Sequence, residues 1–370
     1  MNNKLHSIKE ILLMGPGPSL PYPEVYDALG TPTLGHLDPK FIEIMDDIKA
    51  MLKVVFNTES DVIIPVSGTG SCGMEAALVN LIEPGDSVLV LENGVFGQRQ
   101  YEIASRLHAD VDILSFPWGT AVVPDEVEKA LSKKKYKIVS MVHAETSTGV
   151  CNPAGAIGEL THSHGCCYIL DTVTSLGGIP VEIDKWHVDA SYSGTQKCLA
   201  CPPGLSPLVL SSKAMEIIRS RKTKIPNWYL DMNLITQYWG GKQRAYHHTA
   251  PINMLYGLYQ SLLLVTEETL AAVYKRHLDA HKFLVDELKE LGLDMVVEEA
   301  YRLPMLNSIW IPSGVDDKSI RSRLLNEFFI EIGAGLGKFS GKVWRIGLMG
   351  NTARKENVSK LIRALHEVLK

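Results

Sequence analysis

Three separated groups of residues in this chain have the types and spacing to serve one chemistry. The first is Ser67-Gly68-Thr69-Gly70-Ser71, set between the strand-like run Val62 to Val66 and a helical pattern. Small residues let a ligand approach the backbone, and the N–H groups that open a helix attract an anion. With the Thr69 and Ser71 hydroxyls the loop suits a phosphate. Gly-Ser-rich turns before helices are common, so the loop alone does not decide. It is neither G-x-x-x-x-G-K-[ST] nor G-x-G-x-x-G, and nucleoside-triphosphate and dinucleotide sites lose their main support. The second group is Asp171, which closes the apolar run Cys167 to Leu170. A carboxylate there contacts a ligand or caps the turn Thr172 to Ser175. The third is Lys197, in Tyr192-Ser193-Gly194-Thr195-Gln196-Lys197, with Pro202-Pro203-Gly204 following. Most isolated lysines are solvated, but one set among small residues between turns can be an amine of lowered pKa that takes a carbonyl carbon. The 26 residues from Asp171 to Lys197 (197 − 171) suffice to bring them to neighbouring strand ends. Together the groups offer handles for a phosphate, a ring nitrogen and an aldehyde carbon on one cofactor, and the conjunction is far more specific than any part.

Two further residues fit around such a ring. Phe96, in Asn93-Gly94-Val95-Phe96-Gly97-Gln98, precedes a helical pattern and either stacks on a planar ring or belongs to the core. Arg345, in Gly341-Lys342-Val343-Trp344-Arg345-Ile346-Gly347, sits inside an apolar strand. Its guanidinium fork demands a carboxylate, either a structural partner or that of a substrate.

These residues must be positioned by alternating elements. The patterns predict helices over 71–82, 98–107, 124–133 and 155–164, and strands over 87–91, 111–114, 137–142 and 167–170. Apolar strands separated by helices argue for an α/β fold with a mostly parallel central sheet covered on both faces, where ligands bind at the carboxyl ends of strands. Beyond about 250 the pattern becomes a long helical stretch, 253–291, then short strands near 294–297, 307–311, 328–332 and 343–348, and a last helix over 354–370. This predicts a smaller C-terminal α+β domain. The expected division is an N-terminal arm (1–14), a large domain (15–268) and a small domain (269–370).

Net charge is −5, with 45% hydrophobic and 21% charged residues, an ordinary globular balance without a basic nucleic-acid footprint. No run approaches the roughly 20 apolar residues that span a bilayer. The polar start lacks a secretory pattern, so the expectation is a cytoplasmic protein. The six cysteines form no disulfide framework, and the lone C-x-x-C at Cys198–Cys201 reads more readily as buried thiols than as a zinc or redox site.

At these residues the chain resembles class V pyridoxal-phosphate (PLP) aminotransferases, specifically the alanine–glyoxylate and serine–pyruvate (serine–glyoxylate) group. The resemblance covers nearly the whole chain, through Gly15-Pro16-Gly17-Pro18, Val66 to Gly70, His143-Ala144-Glu145-Thr146-Ser147-Thr148-Gly149, Ser193 to Lys197, Tyr246-His247-His248-Thr249 and the Arg345 strand. It implies the PLP-dependent transferase fold (fold type I). Lys197 is then the lysine that holds PLP and moves the proton. Asp171 pairs with the pyridinium nitrogen, Val173 packs on the ring and Phe96 lies over its other face. Phe96 departs from members with tryptophan there, so stacking is expected to be weaker or altered. Thr146 is expected near the ring hydroxyl, and Thr69, Gly70, Ser71 and Gln196 at the phosphate. Tyr246 and Thr249 are expected to reach the phosphate of a neighbouring subunit, which implies a homodimer with shared sites. Arg345 grips the substrate carboxylate, with Gly17 near it.

The implied reaction is ping-pong transamination from a small amino acid to glyoxylate or pyruvate. No second cation is evident near Gly17, Gly35 and His36, which favours alanine or serine as donor. Ureidoglycine–glyoxylate aminotransferases are expected to carry glutamine and asparagine where this chain has His36 and Tyr246, and rank second. A 3-hydroxykynurenine transaminase ranks third. Cysteine desulfurases would need a ring-stacking histidine and a mobile catalytic cysteine. A PLP-free binding protein on the same scaffold would be expected to lose Lys197 or Asp171.

Overall fold

The computed structural model describes residues 3–240 and 244–370. In chain order the first elements are β1 (Leu12–Leu13), α1 (Pro23–Leu29), α2 (Pro39–Phe56), β2 (Val62–Ser67), α3 (Gly70–Leu81), β3 (Ser87–Glu92), α4 (Val95–Arg106) and β4 (Asp110–Ser115). Next come α5 (Pro124–Lys133), β5 (Ile138–Val142), β6 (Ala144–Glu145), β7 (Val150–Cys151), α6 (Ala154–Ser163), β8 (Cys167–Asp171), β9 (Ala190–Tyr192) and β10 (Leu205–Leu210). The chain continues through α7 (Ser212–Arg219), α8 (Met232–Trp239), α9 (Ile252–Glu268) and α10 (Leu270–Glu290). It closes with β11 (Leu306–Trp310), α11 (Asp317–Phe328), β12 (Ile330–Glu331), β13 (Gly333–Ala334), β14 (Val343–Gly347) and α12 (Lys355–Val368).

The central sheet has the order β2-β10-β9-β8-β5-β3-β4. Only β10 runs against the rest. All five residues of β5 and all five of β8 are buried, as strands covered on both faces require. The register pairs Val142 with Asp171 and Asp171 with Tyr192, so the carboxyl ends of β5, β8 and β9 lie level. The segments that follow them emerge along one rim.

A second core gathers Met14, residues of α10, α11 and α12, and Trp344 and Ile346 of β14. Its sheet, β11-β14-β13, is antiparallel. The long helical stretch is two helices: Thr269 turns at φ 71°, ending α9 and capping α10 through its side chain to Ala272 N. Arg276 of α10 clamps this break. It forks onto Glu268 at 2.7 and 2.8 Å and also donates to Gly350 O and the Tyr22 hydroxyl.

Three expectations are corrected. The stretch 294–297 is not a strand: it meets β11 in a single bridge, Met295 to Ile309, and bends away at Val296. The stretch 328–332 is divided, because α11 runs to Phe328 and Phe329 takes a left-handed turn before β12. Helix α4 starts at Val95 rather than Gln98, which puts Phe96 in its first turn. Among the described residues no helix is long and apolar enough to cross a membrane. Cys198 and Cys201 are buried, and burial pushes each thiol up to about 12.

Candidate active site

Lys197 stands in the loop after β9 and is buried, only 8% exposed. Its Nζ donates to the carbonyl of Pro16. Ser19 fastens the same loop, its N–H to Gln196 O and its hydroxyl to Lys197 O. Burial, with the charge of Arg345 adding to it, lowers the amine from its ordinary 10.5 to about 8. Roughly a tenth of the amine is therefore neutral and nucleophilic at pH 7. Gly17 makes this approach possible: a Cβ on it would come within 2.6 Å of the lysine Nζ.

Asp171 ends β8 and is 2% exposed. Its Oδ1 accepts from Val173 N at 2.8 Å. Burial raises its carboxyl to about 7, with hydrogen bonds from Val173 and Tyr192 acting the other way. A carboxyl poised in this range gains from a cationic partner, which a protonated ring nitrogen would supply.

The loop between β2 and α3 meets these residues from the side. Thr69 is the N-cap of α3, but its side chain makes no cap bond, and both Thr69 and Ser71 are exposed. A Cβ on Gly70 would sit 3.3 Å from Val173 and 3.6 Å from the Gly194 backbone. Beside Gly194, the Gln196 side-chain oxygen is buried without a partner among the described residues. An amide turned by half a revolution presents a donor at the same point. An anion at the start of α3 would find free N–H groups, two hydroxyls and this amide, so the residues fit the phosphate of PLP.

Phe96, half-buried, carries the guanidinium of Arg99 over its ring at 4.8 Å. Its backbone is held by a residue to which sequence reasoning assigned no role. Glu145, fully buried, accepts from Phe96 N at 3.1 Å, Gly97 N at 3.4 Å and Ser147 N at 3.0 Å. Ser147 in turn accepts Val95 N at 2.9 Å. The N-cap of α4 is Gly94, which has no side chain, and these two residues satisfy the helix's first donors from about fifty positions downstream. The only local signal was the Glu145-Thr146-Ser147 motif itself.

Thr146 is buried next to Glu145, and its carbonyl accepts from Arg345 Nη1 at 3.1 Å. Arg345 Nε donates to Ala334 O at 2.7 Å. No carboxylate lies within ion-pair distance of Arg345 among the described residues, and Nη2 makes no protein hydrogen bond there. Burial lowers the guanidinium to about 10, while the charge of Glu145 works against this. The structural salt bridge is thus absent, and a buried cation near Lys197 has one edge left for a ligand.

The structure brings Lys197, Asp171, Val173, Gly70, Gln196, Thr146, Phe96, Gly17 and Arg345 to one rim of the sheet. Tyr246 and Thr249 stand apart. Their hydroxyls lie 3.3 Å from each other, Tyr246 is 58% exposed, and no hydrogen bond joins either to Thr69, Gly70, Ser71 or Gln196. Their loop reaches the site through His248, whose Nε2 is 2.8 Å from Ser67 Oγ.

Comparison with known proteins gives the family. The family model for class-V aminotransferases matches residues 20–361. The chain is similar to the alanine–glyoxylate aminotransferase of Callithrix jacchus, 42% identical over 98% of this chain and 88% of that protein. It is also similar to the (S)-ureidoglycine–glyoxylate transaminase of Bacillus subtilis, 37% identical over 96% and 90%. The solved alanine–glyoxylate aminotransferase from Nostoc sp. superposes with a TM-score of 0.96 at 47% identity, covering 100% of both chains. The chain belongs to the class-V aminotransferase family and is a PLP-dependent aminotransferase.

Proposed function

We propose that this enzyme transfers the amino group of a small neutral amino acid, alanine or serine, to glyoxylate or pyruvate in two half-reactions. PLP, when bound, supplies an electron sink for the pair left at the substrate Cα. The chain's own residues do the rest. Lys197 holds the aldehyde carbon and, once displaced by the donor's amine, takes the α-proton on Nζ; its lowered pKa leaves it free to accept one. Asp171 keeps a proton on the ring nitrogen. The loop at Thr69, Gly70 and Ser71, with Gln196, anchors the phosphate, while Val173, Phe96 and Thr146 enclose the ring. Arg345 takes the substrate carboxylate and turns the Cα–H toward Lys197.

The observation that carries this reading is Arg345, a buried cation beside the lysine with no carboxylate to pair it among the described residues. Relatives named alanine–glyoxylate aminotransferase support the choice of substrates. A homodimer belongs to the reading: the exposed Tyr246 and Thr249 would complete the phosphate site of a partner subunit. The test is spectral. The protein loaded with PLP is given L-alanine, L-serine, L-aspartate or ureidoglycine singly, then glyoxylate. Loss of the visible cofactor band with alanine or serine, and its return with glyoxylate, is expected. Bleaching by ureidoglycine or aspartate alone would overturn the donor assignment.

A further inference from the structure

The segment after α8 meets the phosphate loop through four hydrogen-bonding groups in single file. Ser67, the last residue of β2, has its Oγ 2.8 Å from Nε2 of His248. The other ring nitrogen of His248, Nδ1, lies 2.8 Å from Nδ1 of the adjacent His247. The remaining nitrogen of His247, Nε2, lies 3.3 Å from Trp228 O. His247 is buried, and its ring stacks on the Trp228 indole with centroids 4.4 Å apart. His248 is half-buried against Tyr229 and Tyr238, at 5.0 and 6.1 Å between centroids. Beyond them, His36 packs on Tyr246, the Cys72 thiol donates to Ser67 O, and Arg244 is paired with Asp46. Among the described residues the histidines with a carboxylate in ion-pair distance are His164, His187 and His366, so the chain supplies His247 and His248 with no counter-charge.

A carbonyl can only accept, and that fixes the order of the protons. Trp228 O takes the Nε2–H of His247, so the neutral His247 ring offers its Nδ1 as acceptor. His248 must then carry its proton on Nδ1, and its Nε2 accepts the Ser67 hydroxyl. Two bare nitrogens, or two N–H groups, could not face each other at 2.8 Å. One further proton fits at one place. On His247 Nδ1 it would meet the Nδ1–H of His248 and break the file. On His248 Nε2 it keeps every contact: the new N–H donates to Ser67 Oγ, and the Ser67 proton swings away. Burial, with the charge of His247 adding to it, holds His248 below its ordinary value, which favours the neutral ring while the loop is empty. A dianion on Thr69, Gly70 and Ser71, which follow Ser67 after Gly68 alone, supplies the missing counter-charge. We propose that His247 and His248 are positioning residues that hold the phosphate loop through Ser67 and take up one solvent proton, on His248, as the phosphate of the cofactor binds. This rests on the phosphate reading of that loop given above.

The test uses the full chain with 15N-labelled histidine, the two ring signals being assigned by their loss in His247→Gln and His248→Gln. At about pH 8, where both rings are neutral, His248 is expected in the Nδ1–H form and His247 in the Nε2–H form. The same form in both rings overturns the file. Loading with PLP, or saturating the cofactor-free protein with sulfate, is expected to raise the His248 titration midpoint by about one unit, the equivalent of about tenfold tighter anion binding to the protonated form. Ser67→Ala leaves the new N–H without its acceptor and is expected to shrink that rise. A role confined to packing would show only as lost stability in the variants, with the wild-type midpoint fixed. A midpoint that neither PLP nor sulfate moves overturns the proposal. The PLP reading fails separately, if the wild-type protein shows the sulfate shift but forms no visible cofactor band.

Discussion

Lys197 and Asp171 are each held toward the charge state that water would not choose, and pH therefore acts on them in opposite senses. The Asp171 carboxyl lies near 7 instead of its ordinary 3.8 in the cofactor-free protein. A raised carboxyl favours the fold below the ordinary value, and that contribution is lost as pH climbs toward 7. Urea unfolding of the cofactor-free enzyme should thus show stability falling from about pH 4 to 7 on this residue's account, with Asp171→Asn flattening the decline. Parallel curves for the two proteins would mean Asp171 is not raised. The Lys197 amine, near 8 instead of 10.5, favours the fold above 10.5 and withdraws that support as pH falls through 8. Cofactor loading should accordingly accelerate from pH 7 to 9 as the neutral amine accumulates. Arg345 is argued by its missing partner. Arg345→Ala should raise KM for alanine by roughly 10- to 100-fold, the worth of charge-assisted bonds to a carboxylate. A KM within a factor of about two of wild type would remove it from substrate binding. These residues were legible from type and spacing because each combines a rare setting with a definite chemistry: a lysine among small residues, a carboxylate at a strand end, an arginine in an apolar strand.

Element boundaries were less legible where the signals are not local. Helix α5 is legible over its full length because Pro124 opens it and acidic residues follow. The start of helix α4 is not legible locally because Gly94 offers no capping side chain, and the cap arrives from Glu145 and Ser147. The sheet topology that brings those residues under α4 is not written in any window of the sequence. Glu145→Ala should leave the Phe96 and Gly97 N–H groups without acceptors and cost about 3 kcal/mol in denaturant unfolding. Gly94→Ala attacks the same contact from the other side, since its Cβ would lie 2.4 Å from the Glu145 carboxyl carbon. Near-wild-type stability in both would show that α4 is held by packing alone. The apolar run Met295-Val296-Val297 imitates a strand, yet only Val297 is buried and a single bridge, Met295 to Ile309, pairs it.

On the scale of the whole molecule, a large sheet core and a second C-terminal core meet at Arg276, which binds Glu268, Tyr22 and Gly350 together. Exposed aromatics lie elsewhere, with Trp228 62% and Tyr246 58% accessible in the single chain. The reading of Tyr246 and Thr249 concerns a second subunit, so it was legible only through family resemblance. Sedimentation should give about twice 40.9 kDa. Mixing inactive Lys197→Ala subunits with inactive Tyr246→Ala/Thr249→Ala subunits should restore activity in hybrids that hold one intact site. No recovery from a mixture proven to contain hybrids would place both residues in their own subunit's site.

The segment from Leu12 to Gly17 ties the two ends of this arrangement. Leu12 N and Met14 N bond to the backbone of Phe329 and Glu331, Gly347 N bonds to Met14 O, and two residues later the Pro16 carbonyl receives the Lys197 amine. In the proposed role of Lys197, cofactor loading takes its amine from that carbonyl, and the strand carrying Arg345 is stitched to the same segment. Occupancy of the lysine should therefore be readable as a change in deuterium uptake at the amides of Met14 and Gly347, which makes the N-terminal segment a gauge of the enzyme's chemical state.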